Sequence, residues 1–519
     1  MRLLVPLIAG GFLLSCAKAA PGPAATTIVN AIIIDGTGAP GYRGALRYLA
    51  DSIVAVGAEV TPRVGDSVID AGGLVLAPGF IDSHSHHDRF LNRTPDARAA
   101  VSQGITTIIA GQDGGHPIPL ARAWDSIAAV GTAINLAYYA GHGSIRHAVM
   151  GADFRRPATP AEVDSMAGLL RRELDAGALG LSSGLEYDPG IYSEPSEILA
   201  LAKVAAAAGA RYLSHIRSED RWFWEAIDEI LTIGREAQLP VQISHVKLAM
   251  IPLWGQADSL IRVLDRARAS GIDVTADIYP YPYWQSTLTV LFPKRDFDNR
   301  AEADRILREL ARPEGLLIGD FTANRVYEGK TVAEIAVMRR EDPAATLMGL
   351  IRESLAASPN RGEVQNGASP TATESVVATS MAEPDIERLM AWEHTNICSD
   401  GMLDGAHPRG FGAFPRVLGR YVREKRVIRL EDAVRKMTSL TAAHLGLTRV
   451  GTLAAGHPAD LVLFDPATIL DRATPAEPHV LSAGVSRVWV GGVPVWANGA
   501  TTGARPGRMI KRPRSSSGG

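Results

Sequence analysis

Hydrophobic and polar positions alternate in short runs near both ends of the chain. Residues 25–75 contain runs such as TTIVNAIIIDG and RYLADSIVAVG, separated by glycine turns, and similar runs (ADLVLFDP, SRVWVGGVPVWANG) return within residues 448–510. Such runs predict short antiparallel strands. Because the entropy of loop closure grows only logarithmically with loop length, the two distant segments can pair. We therefore expect one small β-sandwich domain built from both termini.

Residues 76–447 follow a different pattern, in which apolar runs alternate with helix-like stretches. Eight runs are found, from GFIDSHSH to TNICSDG, and stretches such as PAEVDSMAGLLRRELDAG stand between most of them. Eight strands alternating with helices predict an α/β fold, a (β/α)8 TIM barrel. The segment between Tyr281 and Thr395 is longer than a crossover helix requires, so we expect an inserted subdomain at about residues 288–370.

Composition narrows the classes of function. The 519 residues carry 53 basic and 56 acidic side chains, a formal charge of −3, and two cysteines. A balance this close to neutral does not favour a nucleic-acid partner. Two cysteines cannot supply a disulfide framework. A hydrophobic content of 46% and a charged content of 21% describe a soluble globular protein with a large core, and the sequence carries no signal for an oligomeric state.

The first residues, MRLLVPLIAGGFLLSC, predict a signal peptide over residues 1–19. The run LLSC resembles a bacterial lipobox, in which Cys16 would carry a lipid anchor, whereas cleavage after residues 17–19 is the alternative. In either case the protein would be exported by a bacterium, to the periplasm or to a membrane as a lipoprotein. Residues 511–519 are rich in serine, glycine and basic residues and predict a disordered tail.

Several apolar runs end in a side chain that can bind a metal ion. Imidazole and carboxylate are ligands that zinc prefers, and the carboxyl ends of parallel barrel strands face one pocket. His84 and His86 are two residues apart on a strand and therefore point to the same face. Isolated histidines can also be hydrogen-bonded core residues, and Asp400 can be a turn residue before Gly401. The predicted ligands are His84, His86, Glu186, His215, His245 and Asp400.

These phrases resemble the amidohydrolase superfamily, and more narrowly the N-acyl-D-amino-acid deacylase (D-aminoacylase) family. The resemblance rests on APGFIDSHSHHD, LSHIRSE, ISHVKLA, DIYPY, SDG and HPRGFGAFPRVLGRYVRE. It implies a metal-dependent barrel with one or two divalent ions, zinc being the first candidate. It also implies hydrolysis of the amide bond of an N-acyl amino acid. A metallo-dipeptidase acting on dipeptides or N-acyl-L-amino acids is the alternative, and a non-catalytic binding lipoprotein ranks below both.

One turn departs from the family. Its familiar members carry a zinc-binding cysteine in a GNCG turn after strand two, where this chain has Gly111-Gln112-Asp113-Gly114. Related amidohydrolases place a bridging carboxylate at the end of strand four, where this chain has Glu186. We therefore expect Glu186 to bridge two metal ions. Asp113 is the competing candidate, although a residue between glycines is often a plain turn residue.

In the expected mechanism Asp400 acts first as general base and then as general acid. It takes a proton from a metal-bound water, which leaves the attacking hydroxide, and passes that proton to the leaving amine. His142, in AGHGS, is a candidate for stabilising the oxyanion, or a loop histidine between two glycines. The substrate carboxylate requires a cation or a hydroxyl group. By resemblance, Arg409, Lys247 and Tyr281 fall on the carboxylate-binding positions of D-aminoacylases.

Overall fold

The computed structural model describes residues 24–357 and 374–513. The predicted signal peptide with Cys16, residues 358–373 of the predicted insertion and residues 514–519 of the predicted tail lie outside the described residues. Within the first part of that tail, the Arg512 amide donates to Gly177 O at 3.0 Å. This contact packs residue 512 against the barrel, where disorder was expected.

The first five strands form part of a terminal β-domain. They are β1 (Thr26–Ile33), β2 (Tyr42–Leu49), β3 (Ser52–Gly57), β4 (Ser67–Asp70) and β5 (Val75–Pro78). Strand β1 pairs antiparallel with β2 and parallel with β4 and β5. Ala31 and Ile33 are fully buried on either side of the half-buried Ile32, as the alternating pattern predicts.

The next strands build most of the barrel and pair in parallel. They are β6 (Phe80–Asp82), β7 (Ile105–Ala110), β8 (Asn135–Tyr138), β9 (Ala140–Gly141), β10 (Gly180–Gly184), β11 (Arg211–His215), β12 (Val241–Ile243) and β13 (Val274–Ile278). Strands β8 and β9 are consecutive parts of the third barrel strand. All six residues of β7 are buried, as expected for a parallel strand that helices cover.

An insertion follows β13 before the barrel closes. It contains β14 (Tyr283–Ser286), β15 (Leu316–Phe321) and β16 (Glu374–Thr379), which form a three-stranded antiparallel sheet. The described insertion therefore runs from 283 to 379, wider than the predicted 288–370. Strand β17 (Thr395–Ile397) then pairs in parallel with β13. The Asp400 amide donates to His84 O at 2.8 Å, which joins the first and last barrel strands.

The last strands return to the terminal β-domain. They are β18 (Leu461–Phe464), β19 (Val485–Val490), β20 (Val493–Ala497) and β21 (Ala500–Thr501). Strand β18 pairs antiparallel with β5, so segments from both ends of the chain share one nine-stranded sheet. A separate apolar cluster, which includes Ile28, Leu461 and Trp489, forms its core.

Helices surround the barrel and cover the insertion. They are α1 (Arg98–Val101), α2 (Leu120–Val130), α3 (His142–Met150), α4 (Pro160–Ala176), α5 (Pro195–Ala207), α6 (Phe223–Ala237), α7 (Ala257–Ala269), α8 (Arg300–Arg305), α9 (Val332–Arg339), α10 (Pro343–Ala357), α11 (Glu383–Ala391), α12 (Arg409–Arg416), α13 (Leu430–Met437) and α14 (Ser439–Leu445). Helix α4 begins at a capping box between Thr159 and Glu162 and ends at Gly177, which has φ 114°. In the described part of the chain no helix is both long and apolar enough to span a bilayer.

Candidate metal centre

Three predicted ligands meet where the first and last barrel strands end. His84 and His86 follow β6, and Asp400 follows β17. Oδ1 of Asp400 lies 3.4 Å from Nε2 of His84 and 3.2 Å from Nε2 of His86. The HSH spacing therefore does place both imidazoles toward one carboxylate.

Asp113, in the turn after β7, lies at the centre of the cluster. Its Oδ2 is 3.1 Å from Nε2 of His86, and its Oδ1 is 3.4 Å from Nε2 of His84. The same Oδ1 is 3.5 Å from Nε2 of His245. One carboxylate thus faces histidines from both sides of the cluster.

The other two histidines each turn one nitrogen inward and one outward. The inward nitrogens, Nδ1 of His215 and Nε2 of His245, face the cluster and lie 3.1 Å apart. Outward, Nε2 of His215 lies 3.0 Å from Oε2 of Glu186, and Nδ1 of His245 lies 2.9 Å from Oε1 of Glu219. The two glutamates therefore contact the outer nitrogens rather than the centre.

The unpaired polar atoms of the cluster fit a bound cation. Both ring nitrogens of His84 and Oδ1 of Asp113 are buried, and none has a hydrogen-bond partner within residues 24–357 and 374–513. Buried polar atoms without partners are costly unless something else satisfies them. Four of the residues, His84, Asp113, His245 and Asp400, offer ligand atoms that all lie within 4.8 Å of one another. Imidazole nitrogens with carboxylate oxygens suit zinc and other borderline divalent ions.

The charges of the cluster stabilise one another. Burial opposes ionisation of Asp113, yet the neighbouring His84, His245 and His86 hold its pKa well below the usual value. Against burial, Arg409 and the histidines likewise keep the pKa of Asp400 well below its usual range. Burial and Lys247 lower the pKa of His245, but the surrounding carboxylates outweigh them and raise it to about 10. The metal-free cluster is therefore an array of carboxylates with at least one imidazolium.

Three of these residues have a backbone conformation that side chains rarely adopt. The φ angles are 52° at Asp113, 33° at His245 and 49° at Asp400. Such conformations cost free energy and persist where surrounding contacts impose them. The amide of His245 is held by Oδ1 of Asp277 at 2.5 Å. These turns direct three candidate ligands into the pocket at the point where each strand ends.

Glycines allow the Asp113 turn to pack tightly against the neighbouring strands. A Cβ added to Gly184, the last residue of β10, would lie 2.3 Å from the carbonyl oxygen of Asp113. A Cβ on Gly141 would lie 2.3 Å from the carbonyl group of Gly114. No side chain fits at either position without moving the turn. Both glycines therefore let the Asp113 turn lie directly against the neighbouring strands.

A cavity of about 470 Å³ opens beside the cluster. Lys247, Tyr279 and Arg409 lie on one side of it. Lys247 Nζ is 5.7 Å and Arg409 Cζ 4.6 Å from the centre of the Tyr279 ring. The Tyr279 hydroxyl is buried and has no hydrogen-bond partner among the described residues. Two cations beside an unsatisfied hydroxyl form a site suited to a carboxylate.

Both cations already have partners. Nη1 of Arg409 lies 2.6 Å from Oδ2 of Asp400, and Nζ of Lys247 lies 2.6 Å from Oε2 of Glu219. The charges on this side are therefore balanced within the protein. The insertion contributes Trp284, Val290, Leu291 and Leu310 to the cavity wall, together with the uncharged polar residues Gln285 and Ser286.

Three predicted site residues have contacts other than those expected. Glu186 contacts the outer nitrogen of His215. It does not lie between the two halves of the cluster, which are His84, His86 and Asp400 on one side and His215 and His245 on the other. His142, the first residue of α3, is buried with its Nε2 2.7 Å from Oε1 of Glu197 and does not line the cavity. Tyr281 turns its hydroxyl toward Asp471, at 3.5 Å, and Tyr279 faces the cavity in its place.

Glu219 and Tyr279 had no predicted role. Glu219 lies four residues after His215 in the phrase HIRSE, and Tyr279 directly follows β13 in DIYPY. The position of Tyr279 at a strand end was the available signal. A turn through Pro280 separates the two tyrosines, so strand alternation cannot tell which one faces the pocket.

Comparison with known proteins shows the same architecture. Residues 67–357 and 395–496 match the sequence model of the amidohydrolase family. D-aminoacylase of Alcaligenes xylosoxydans xylosoxydans is 34% identical over 511 residues, which cover 93% of this chain and 97% of that protein.

Two solved structures extend the comparison. N-acyl-D-glutamate deacylase of Bordetella bronchiseptica, complexed with zinc and a phosphonate mimic of the tetrahedral intermediate, is 32% identical. It superposes with a TM-score of 0.82 over 95% of this chain and 100% of that one. A D-aminoacylase with a binuclear metal centre, activated by one metal and attenuated by a second, is also 32% identical. Its TM-score is 0.80 over 94% of this chain and 99% of that one.

Proposed function

Because the chain belongs to the amidohydrolase family, in its D-aminoacylase group, we propose that it hydrolyses the amide bond of N-acyl-D-amino acids with a divalent metal. The observation that carries this proposal is the juxtaposition of two sites. An imidazole and carboxylate cluster adjoins a cavity in which Lys247, Arg409 and the Tyr279 hydroxyl converge. One site suits a metal and the other a substrate carboxylate.

The geometry supports two ligand sets joined by Asp113. His84, His86 and Asp400 would hold one ion, and His215 Nδ1 and His245 Nε2 would hold the second, with zinc the first candidate. A bound divalent ion lowers the pKa of a water molecule and polarises the acyl carbonyl. The Asp113 position has an oxygen ligand where familiar relatives have a thiolate, so every proposed ligand atom is nitrogen or oxygen.

Asp400 is the residue that we propose moves the proton. Its Oδ1 faces His84 and His86, while its Oδ2 is held by Arg409 at 2.6 Å. The depressed pKa of Asp400 keeps its carboxylate in the ionised form that a general base requires, and this carboxylate would take the proton of the attacking water. The Asp400 carboxyl group would then deliver that proton to the leaving amine.

Lys247, Arg409 and Tyr279 would bind the α-carboxylate of the substrate. The Tyr279 hydroxyl has no hydrogen-bond partner among the described residues, and burial raises its pKa although Lys247 and Arg409 oppose this, so it stays protonated. Tyr279 therefore replaces Tyr281 in the proposed set. Each cation would contact the substrate carboxylate in addition to its partner in the protein, which is Asp400 for Arg409 and Glu219 for Lys247.

The uncharged residues that the insertion adds to the cavity wall support substrates with a neutral side chain. Trp284, Val290, Leu291 and Leu310 offer no cation to a second carboxylate, and the nearby Glu186 and Glu219 would repel one. We propose that N-acyl-D-leucine or N-acyl-D-methionine is preferred to N-acyl-D-glutamate. Export, to the periplasm or as a lipoprotein anchored at Cys16, is proposed on the signal-like N-terminal sequence alone.

A hydrolysis screen tests the proposal. The zinc-loaded protein is offered N-acetyl-D- and N-acetyl-L-forms of leucine, methionine and glutamate, and the matched glycyl dipeptides. We expect the D-leucine and D-methionine compounds to be cleaved at least tenfold more efficiently than the others, with loss of activity after chelation. Preference for L-forms or for dipeptides would refute the substrate assignment. Activity that survives chelation would refute the requirement for a divalent metal.

A further inference from the structure

We propose that Glu186 is a positioning residue that orients His215 for the metal, and that it is not itself a ligand. The inference rests on the metal centre of the proposed function. Glu186 lies two residues beyond β10 and is 18% exposed at its side chain, at the wall of the cavity. No role follows for it from the ligand sets above.

The contact with His215 is on the nitrogen that faces away from the cluster. Nδ1 of His215 lies 3.1 Å from Nε2 of His245, whereas Nε2 lies 3.0 Å from Oε2 of Glu186. An imidazole that binds a metal through one nitrogen carries its proton on the other. A carboxylate accepting that proton fixes the tautomer, orients the ring and makes the ligand more basic.

Both carboxylate oxygens of Glu186 are engaged, which leaves neither free to bridge. Oε1 accepts the amide N–H of Glu219 at 2.9 Å, and Oε2 accepts from His215. The carbonyl oxygen of Glu186 also accepts from Nη2 of Arg295, on the insertion, at 2.8 Å. The Glu219 amide therefore holds the carboxylate that contacts the imidazole, and Arg295 holds the backbone of the same residue.

The neighbouring histidine also has a carboxylate beside its outer nitrogen, together with a lysine. Nδ1 of His245 lies 2.9 Å from Oε1 of Glu219 and 2.8 Å from Nζ of Lys247. Tyr187 adds a second restraint on His215, with ring centroids 4.5 Å apart. Glu186 and Glu219 thus lie behind His215 and His245, and Lys247 is a further partner of His245 alone.

Zinc affinity of Glu186 variants tests the inference. Metal-free wild type, Glu186→Leu and Glu186→Gln are titrated with zinc against a chromophoric chelator, and bound zinc is counted at saturation. We expect Glu186→Leu to bind as many ions as wild type, with one ion weakened about 10- to 100-fold. Glu186→Gln keeps one acceptor for His215 and should lose less; it decides the question if the leucine variant does not fold.

Asp220→Asn is the matched control, because it removes a nearby carboxylate that contacts Ser218 and not a histidine of the cluster. Its zinc affinity should stay within about twofold of wild type. Unchanged affinity in Glu186→Leu would overturn the positioning role, and loss of one whole ion at saturation would make Glu186 a ligand. If the wild type binds zinc but cleaves none of the screened amides, the proposed function fails while the inference stands.

Discussion

Oδ1 of Asp113 lies 3.5 Å from Nε2 of His245, across the pocket from the histidines that follow the first barrel strand. The same oxygen is 3.4 Å from Nε2 of His84. Because one carboxylate approaches both halves of the cluster, it can hold two ions at a fixed separation. Four predictions follow from this arrangement and from the residues around it.

Replacement of Asp113 should show whether this residue is a metal ligand or only a turn residue. We expect Asp113→Ala to lose one bound metal and to lower kcat/KM by about 100-fold or more, because both halves lose a shared ligand. Asp113→Cys should restore two-metal binding and, with cobalt, show thiolate-to-cobalt charge-transfer absorption. A cysteine variant that binds cobalt without such absorption would show that residue 113 does not reach the metal.

Metal binding should release protons. Carboxylates raise the pKa of His245 to about 10 in the metal-free protein despite burial and Lys247, so this imidazole is protonated at neutral pH. A ligand must lose that proton, and the apparent affinity should therefore rise with pH up to about 10 and then level off. Calorimetric titration in buffers of different ionisation enthalpy measures the protons released per zinc. A value below about one at pH 7 would contradict the prediction.

The two tyrosines of the YPY sequence should behave differently. Tyr279→Phe removes the unpaired hydroxyl from the cavity and should raise KM about 10-fold or more with little change in kcat, because a hydrogen bond to a carboxylate is lost. Tyr281→Phe is the control, since its hydroxyl faces Asp471 outside the cavity. Equal effects on KM from the two variants would argue against the assignment.

Gly184 should be intolerant of a side chain. In Gly184→Ala the new Cβ would lie 2.3 Å from the Asp113 carbonyl oxygen, so we expect a loss of about 1–3 kcal/mol in the free energy of unfolding. Zinc affinity should fall with it. In the control, Gly168→Ala in α4, the nearest atom is 4.0 Å away, and the same change should stabilise the protein by about 0.5–1 kcal/mol. Thermal unfolding of both variants, with and without zinc, measures the difference.

The fold class predicted from periodicity and resemblance was confirmed: a (β/α)8 barrel with a β-sandwich from both termini. Strand and helix periods are local properties, which is why β7 or α4 can be recognised from its own residues. The bounds of the insertion were less accurate. Strands β14 and β16 pair over a distance of many residues, and neither carries a local sign of its partner.

The candidate ligands divide in the same way. His84, His86, His215, His245 and Asp400 were recognisable because each follows an apolar run, and parallel strands bring such positions to one edge of the barrel. Asp113 and Glu186 could not be ranked from the chain, since both are carboxylates beyond strand ends. Their difference lies in the turn that glycines hold at Asp113 and in the peptide N–H that turns Glu186 toward His215.

The sequence by itself determined the barrel, the family and the set of histidines and carboxylates available to a metal. Only the tertiary structure decided which carboxylate lies between the two halves, which tyrosine faces the cavity, and which cations are already paired. The physical reason is that side-chain type and period are encoded locally. Distances of 3 to 4 Å between Asp113, His86 and His245 depend instead on how distant strands end, turn and pack.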